Sequence, residues 1–254
     1  MARYFLEIMY DGTLFHGSQL QGEIPTVQLA IDKTLSILLR KQITSFGASR
    51  TDEGVHALCN YFHFDIDEEL HPGFIYKMNS ILPIGVALKK VYKANDEKFS
   101  ARFNAIKRTY RYRIYPKKNP FLANRAYYFP FKVDLKILNE TASVIKEYDH
   151  FESFSKRKNN SKTFKCNISE SYWELHGKEL QYIVSSNRFL RGMVKGLVGT
   201  QLLVGKGKIT IDEFKAIIEA KDCTKADFSV PGHGLYLENI EYKGGNLTEL
   251  TNLK

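Results

Sequence analysis

Period-two alternation recurs in both halves of this 254-residue sequence, and it limits what the chain can fold into. Tyr4, Leu6, Ile8 and Tyr10 fall on one face of a predicted strand, with Phe5, Glu7 and Met9 on the other. Thr109 to Tyr115 alternates more strongly: Tyr110, Tyr112 and Ile114 share one face, and Arg111, Arg113 and Tyr115 share the opposite one. Further strands are expected at Ile43–Phe46, Cys59–Asp65, Val86–Tyr92, Ile168–Leu175, Leu180–Val184 and Gly234–Tyr242. Between them the period changes to 3.6. Thr26 precedes a helix with Val27, Ile31, Leu35 and Leu38 on one side. A short helix runs from Phe74 to Ile81 and stops before Pro83. Asp134 precedes Leu135, Leu138, Ala142 and Ile145, and Thr210 with Glu213 forms a capping box ahead of Phe214, Ile217 and Ile218. Phe189 to Val204 reads as a buried helix, and His176 to Glu179 as the turn of a hairpin. The pattern predicts an α+β fold of meandering strands with inserted helices, arranged twice. A first domain is expected over residues 1–104, a second over 105–245 and a frayed tail over 246–254.

Lys and Arg number 37 against 28 Asp and Glu, for a net charge of +9. A basic surface attracts a polyanion and gains entropy by releasing its counterions, so nucleic acid is a natural partner. Solvated surface lysines would give the same count. Cys59, Cys166 and Cys223 lie far apart in sequence, which leaves no C-x-x-C spacing for a metal or a redox pair. No apolar run approaches a membrane span, and charges at Arg3 and Glu7 interrupt the start where a secretory signal would need an apolar core. These features point to a cytoplasmic protein with no membrane partner.

The segment Ser49-Arg50-Thr51-Asp52-Glu53-Gly54-Val55-His56-Ala57 gathers acids, a base, a hydroxyl and a glycine in one loop between two strands. A carboxylate beside a guanidinium is held ionised, and an ionised carboxylate can act as a nucleophile or stabilise an oxocarbenium-like sugar. On spacing alone an Asx turn with a surface ion pair is the better reading.

The segment also resembles a family motif. Arg50-Thr51-Asp52-x-Gly54-Val55-His56-Ala57 is similar to the active-site loop of the TruA family of tRNA pseudouridine synthases. The resemblance continues in order along the chain. It includes Tyr10-Asp11-Gly12-Thr13 with Phe15, Gly17 and Gln19, then Thr26-Val27-Gln28, then Asn79-x-x-Leu82-Pro83. It resumes at Phe99-x-Ala101-Arg102-Phe103-x-Ala105, Arg108-x-Tyr110-x-Tyr112, Asn187-x-Phe189-Leu190, Met193-Val194-Lys195, Val198-Gly199 and Gly234-Leu235-x-Leu237.

The resemblance implies the pseudouridine synthase fold, two α/β halves with mostly antiparallel sheets around a central cleft. It implies isomerisation of uridine to pseudouridine at positions 38, 39 and 40 of the tRNA anticodon stem-loop, with the target base flipped out. No cofactor and no metal is implied, and a homodimer is. Asp52 matches the catalytic aspartate. Tyr110 matches a tyrosine that stacks on the uracil, and Lys195 a basic position that usually carries Arg and pairs with the aspartate. Arg50 matches the arginine beside it, for the flipped state or a phosphate. Lys107, Arg108, Arg188 and Arg191 are candidates for the RNA phosphates, as are Arg111, Arg113, Lys156, Arg157 and Lys158. His56 reads as a loop-packing residue. Gly192, Gly196 and Gly199 are expected to let the Phe189 helix approach the catalytic loop.

The chain departs from the family pattern at Ser18, where Trp is usual, at Ser49, where Gly is usual, and at Glu53 and Gly85. Three other readings compete: an RNA-binding protein without catalysis, a pseudouridine synthase for another RNA, and a glycoside hydrolase. The last needs a second carboxylate at a matched distance from Asp52.

Overall fold

A computed structural model describes residues 1–157 and 163–253, so the expectation for Lys158 lies outside the described residues. The chain forms two compact units, residues 1–106 with 237–254 and residues 107–236. Among the described residues there are five α-helices, and nearly all strand pairs are antiparallel, which is the α+β class the sequence pattern predicts.

In the first unit, β1 (Ala2–Tyr10) pairs antiparallel with β3 (His56–Ile66) and with β4 (Val86–Ala94), so Leu6 stands opposite Phe62 on one side and Val91 on the other. Helices α1 (Val27–Leu39) and α2 (Phe74–Ile81) complete it. Val27, Ile31 and Leu35 of α1, Phe74 and Met78 of α2, and Leu6 and Ile8 of β1 are buried. Each such side chain contributes about 1.5–3 kcal/mol relative to remaining in water. The other face of β1 is covered as well: Phe5 stacks on His63 and packs against Phe99 and Tyr242. Thr26 caps α1 by accepting from the Leu29 amide.

Only Phe46 and Gly47 form β2, against β3, where a longer strand from Ile43 is expected. Side chains of α1 take the missing backbone bonds. Ser36 Oγ accepts from the Ile43 amide, Asp32 Oδ1 from the Ser45 amide, and Gln28 Nε2 donates to the Ser45 carbonyl.

The second unit is built on the antiparallel order β5 (Ala105–Tyr115), β8 (Glu179–Ser186) and β7 (Ile168–His176), with β6 (Tyr127–Tyr128) parallel to β5. Helices α3 (Leu135–Ile145) and α5 (Ile211–Glu219) follow the predicted caps, with Asp134 bonded to two amides of α3 and a full Thr210–Glu213 capping box on α5, and α4 (Met193–Gly205) lies between them in sequence. Gly177, at a φ of 61°, turns the β7–β8 hairpin. Helix α4 starts four residues later than its apolar run, because Gly192 has a φ of 74° and cannot lie inside a right-handed helix.

Residues 246–253 do not fray. β9 (Leu235–Tyr242) returns the chain to the first unit, and β10 (Leu247–Glu249) pairs with β4. Leu253 is buried. The residues after Tyr242 therefore belong with residues 1–106, and the second unit is shorter than the expected 105–245. A strand's alternation says which way its side chains point, not which sheet it joins.

Among the described residues no helix is long and apolar enough to cross a membrane.

Candidate active site

The Asp52 loop is a short irregular segment tied at many points to its own unit. Asn60 of β3 grips its start: Asn60 Nδ2 donates to the Ser49 carbonyl at 3.0 Å, and Asn60 Oδ1 accepts from the Ser49 amide at 3.3 Å. Ser18 grips it on both sides of Arg50. Its Oγ donates to the Ser49 carbonyl at 3.4 Å and accepts from the Thr51 amide at 2.8 Å, and its amide donates to the Thr51 carbonyl at 3.0 Å. Thr51 Oγ1 bonds the Tyr10 hydroxyl at 2.8 Å, and Asn60 Nδ2 donates to the same hydroxyl at 3.2 Å. Burial pushes the Tyr10 phenol up to about 12, so it stays protonated and keeps a proton to share in this network. On the far side of Asp52, the Gly54 amide donates to the Gly12 carbonyl at 3.2 Å. Gly54 has a φ of 77°, which lets the loop reverse next to the acid.

His56 follows. It is buried, and its Nδ1 accepts from the Gly12 amide at 3.3 Å with Asp11 Oδ1 3.2 Å away. It packs and ties the loop, as the sequence reading holds. Asp52 itself is only partly buried, and Arg50 is exposed. A backbone held this tightly fixes the position of a partly exposed aspartate, an arrangement able to meet a bound group without further ordering.

Tyr110 and Lys195 lie in the second unit. Tyr110 is buried on β5, opposite Val184, and its ring meets Phe189 edge-on at 5.1 Å. Lys195 stands in the first turn of α4. Burial, and then the charge of Lys195, hold the His233 imidazole below its usual range. The sequence reading passes over His233. Its one signal is the turn Pro231-Gly232-His233-Gly234, whose Pro231 carbonyl accepts from the Tyr112 hydroxyl at 2.8 Å.

A family model described as tRNA pseudouridine synthase matches residues 148–243. Proteins named tRNA pseudouridine synthase A match nearly the whole chain. The one from Parabacteroides distasonis is 41% identical over 244 residues, covering 95% of this chain and 96% of that protein. The one from Bacteroides thetaiotaomicron is 38% identical over 255 residues, covering 99% and 94%. The one from Bacillus subtilis is 38% identical over 243 residues, covering 92% and 97%. The chain belongs to the tRNA pseudouridine synthase A family. It is an isomerase of that family.

Two departures from the synthase pattern have a structural account. Gly85 has a φ of 94°, its carbonyl accepts from the Asp11 amide at 2.8 Å, and a Cβ there would sit 2.5 Å from Leu14. Glu53 is exposed, with His16 Nδ1 3.6 Å from its carboxylate.

The glycines of the synthase's α4 do not serve the purpose expected of them. A Cβ on Gly199 would lie 2.3 Å from the Asp227 carbonyl, one on Gly196 would meet Phe228 and Phe154, and one on Gly192 would meet Lys156. These neighbours all belong to the second unit. The expectation that the glycines admit the Asp52 loop is replaced by close packing against the 227–228 backbone and its surroundings.

The basic candidates divide into two groups. Lys107 pairs with Glu170 at 3.2 Å, Arg108 donates to the Asn187 carbonyl at 2.8 Å, and Arg111 donates to Gln181 at 2.7 Å. Arg113 is forked on Glu179 at 2.8 and 2.9 Å, which holds its guanidinium above the usual range. Lys156, Arg188 and Arg191 gather instead around the loop before α4, while Arg157, next to Lys156 in sequence, acts on Asp222. The Lys156 amide donates to the Arg191 carbonyl, and Arg157 and Arg191 are exposed.

Proposed function

We propose that this chain isomerises uridine to pseudouridine at positions 38, 39 and 40 of the tRNA anticodon stem-loop, with Asp52 as the essential carboxylate. Support comes first from the held loop. Ser49, Thr51 and Gly54 are each hydrogen-bonded to the surrounding unit, while Asp52 stays partly exposed between them. A carboxylate presented on a fixed backbone can meet the sugar or the uracil ring of a bound nucleotide without further ordering. The target uridine leaves its stack to be reached. Tyr110 stacks on the extracted base, Lys195 stabilises the ionised aspartate, and Arg50 supports the flipped state or its phosphate. The net charge of +9 favours the tRNA phosphates, with Lys107, Arg108, Arg188 and Arg191 assigned to them. A homodimer working in the cytoplasm completes the reading, on the family resemblance.

The test uses an unmodified tRNA with uridine at 38 to 40, with pseudouridine mapped by chemical probing. The native protein is expected to modify those positions. Asp52→Ala and Asp52→Asn are expected to bind the tRNA and leave it unchanged. A native protein that yields no product on folded tRNA, or an Asp52→Asn variant that turns over normally, overturns the proposal.

A further inference from the structure

The Ser18 side chain touches the loop at the two peptides that flank Arg50. Its hydroxyl donates to the Ser49 carbonyl at 3.4 Å and accepts from the Thr51 amide at 2.8 Å, beside the Tyr10 phenol. Ser18 and Thr51 are buried, at 2% and 7% exposure, so water does not stand in for that acceptor. The Ser18 backbone is fixed in turn by a helix. The Val27 amide donates to the Gly17 carbonyl at 3.3 Å, and the Gln28 amide to the Ser18 carbonyl at 3.0 Å. These are two of the first amides of α1, which have no partner inside the helix. Gly17 makes the approach possible: it has a φ of 90°, and a Cβ there would lie 2.9 Å from the Thr51 carbonyl. A continuous path thus runs from the first turn of α1 through Ser18 to the peptides on both sides of Arg50, one residue from Asp52. Ser18 and Ser49, two of the positions at which this chain departs from the family pattern, meet in this contact.

We infer that Ser18 is a positioning residue for the Asp52 loop, its hydroxyl fixing the peptides that flank Arg50 to the first turn of α1. The inference rests on the reading of Asp52 as the reacting carboxylate. An apolar side chain at this position fills space but leaves the Thr51 amide buried without an acceptor. The loop then relaxes toward water, and the carboxylate loses its fixed direction.

The experiment compares Ser18→Ala, Ser18→Cys and Ser18→Thr in the full chain. Amide exchange at Thr51 is expected to rise roughly tenfold or more in Ser18→Ala. Its single-turnover rate on saturating tRNA is expected to fall roughly ten- to a hundredfold, with RNA affinity and melting temperature little changed. Ser18→Cys keeps the volume with a weak hydrogen-bonder and is expected to fall between Ala and the native protein, so the comparison survives if Ser18→Ala does not fold. Ser18→Thr retains the hydroxyl and is expected to recover most of the rate. A Ser18→Ala or Ser18→Cys protein with native rate and native Thr51 protection overturns the inference. So does a rate loss that merely follows an equal loss of RNA affinity or melting temperature. A native protein that makes no pseudouridine refutes the reading of the site instead, and Thr51 exchange in the variants still decides whether Ser18 holds the loop.

Discussion

The carbonyl of Val55 lies where a Cβ on Gly12 would be: the built position is 1.9 Å from that oxygen. The turn after β1 and the loop after Asp52 therefore touch backbone to backbone, and two hydrogen bonds, from the Gly54 amide to the Gly12 carbonyl and from the Gly12 amide to His56, run alongside. The Asp52 loop is shaped by the turn at Gly12 as much as by its own sequence.

Gly12→Ala tests that contact by sterics alone. Gly12 does not have a positive φ, so alanine suits its backbone and only the overlap with Val55 matters. The methyl must push the two segments apart. The expected cost is about 3 kcal/mol in chemical denaturation, with loss of turnover on tRNA exceeding the loss of folded protein. A variant with native stability and native rate would show that the two segments separate easily.

The stability of the first unit should fall as acid is added, before most carboxylates titrate. Burial, and then the charge of Arg3, push the His63 imidazole down to about 4, and its Nδ1 accepts from the Ala101 amide at 3.3 Å. The unfolded chain carries an ordinary histidine near 6.5. Above that pH neither state binds the proton. Between about 6.5 and 4 the unfolded state binds it and the folded state does not, so stability decreases as pH falls, by about 3 kcal/mol at most. The Arg3 guanidinium holds Asp65 below its ordinary value. That contribution is present above the unfolded carboxylate range and is lost as pH falls further through the folded value. Urea melts across pH 7 to 4 should show the slope, and His63→Gln should flatten its upper part.

Much of this architecture is legible in the sequence because the signals are local. Caps at Thr26, Asp134 and Thr210 mark helices that begin where expected, since an N-cap acts within one turn. The alternation from Thr109 to Tyr115 gives the strand and puts Tyr110 and Tyr112 in the interior. Long-range partners are not local signals. Ile43 to Ser45 has strand composition, but Asp32 and Ser36 of α1 take its amides. The last residues have no periodicity, yet β4 offers them an edge. Gly199 signals a close approach without saying that Asp227 is what approaches. In the site, the residue types around Asp52 are readable, whereas the Ser18 and Asn60 clamps on Ser49 are visible only once the chain has folded.

Lys195 can be followed through its neighbour. Its charge contributes to holding the His233 imidazole down, after burial. Lys195→Met should raise the His233 titration toward its ordinary range, but only in part, because burial remains. Lys195→Arg keeps the charge and should leave it low. Proton NMR of the imidazole across pH reads both. An unchanged His233 in Lys195→Met would separate the two residues electrostatically.

Salt dependence should sort the basic residues. Each cation that neutralises a phosphate adds about one to the slope of log affinity against log salt. Arg113 is half-buried and forked on Glu179, so using it on RNA means breaking a bidentate ion pair. Replacing that pair together, Arg113→Met with Glu179→Leu, removes no net charge and should leave the slope of tRNA binding unchanged. Arg157 is exposed, and Arg157→Ala should lower the slope by about one if a phosphate lies there. Filter binding from low to moderate salt measures both. A fall in slope for the Arg113–Glu179 replacement, with none for Arg157→Ala, would add Arg113 of β5 to the RNA path and take Arg157 off it.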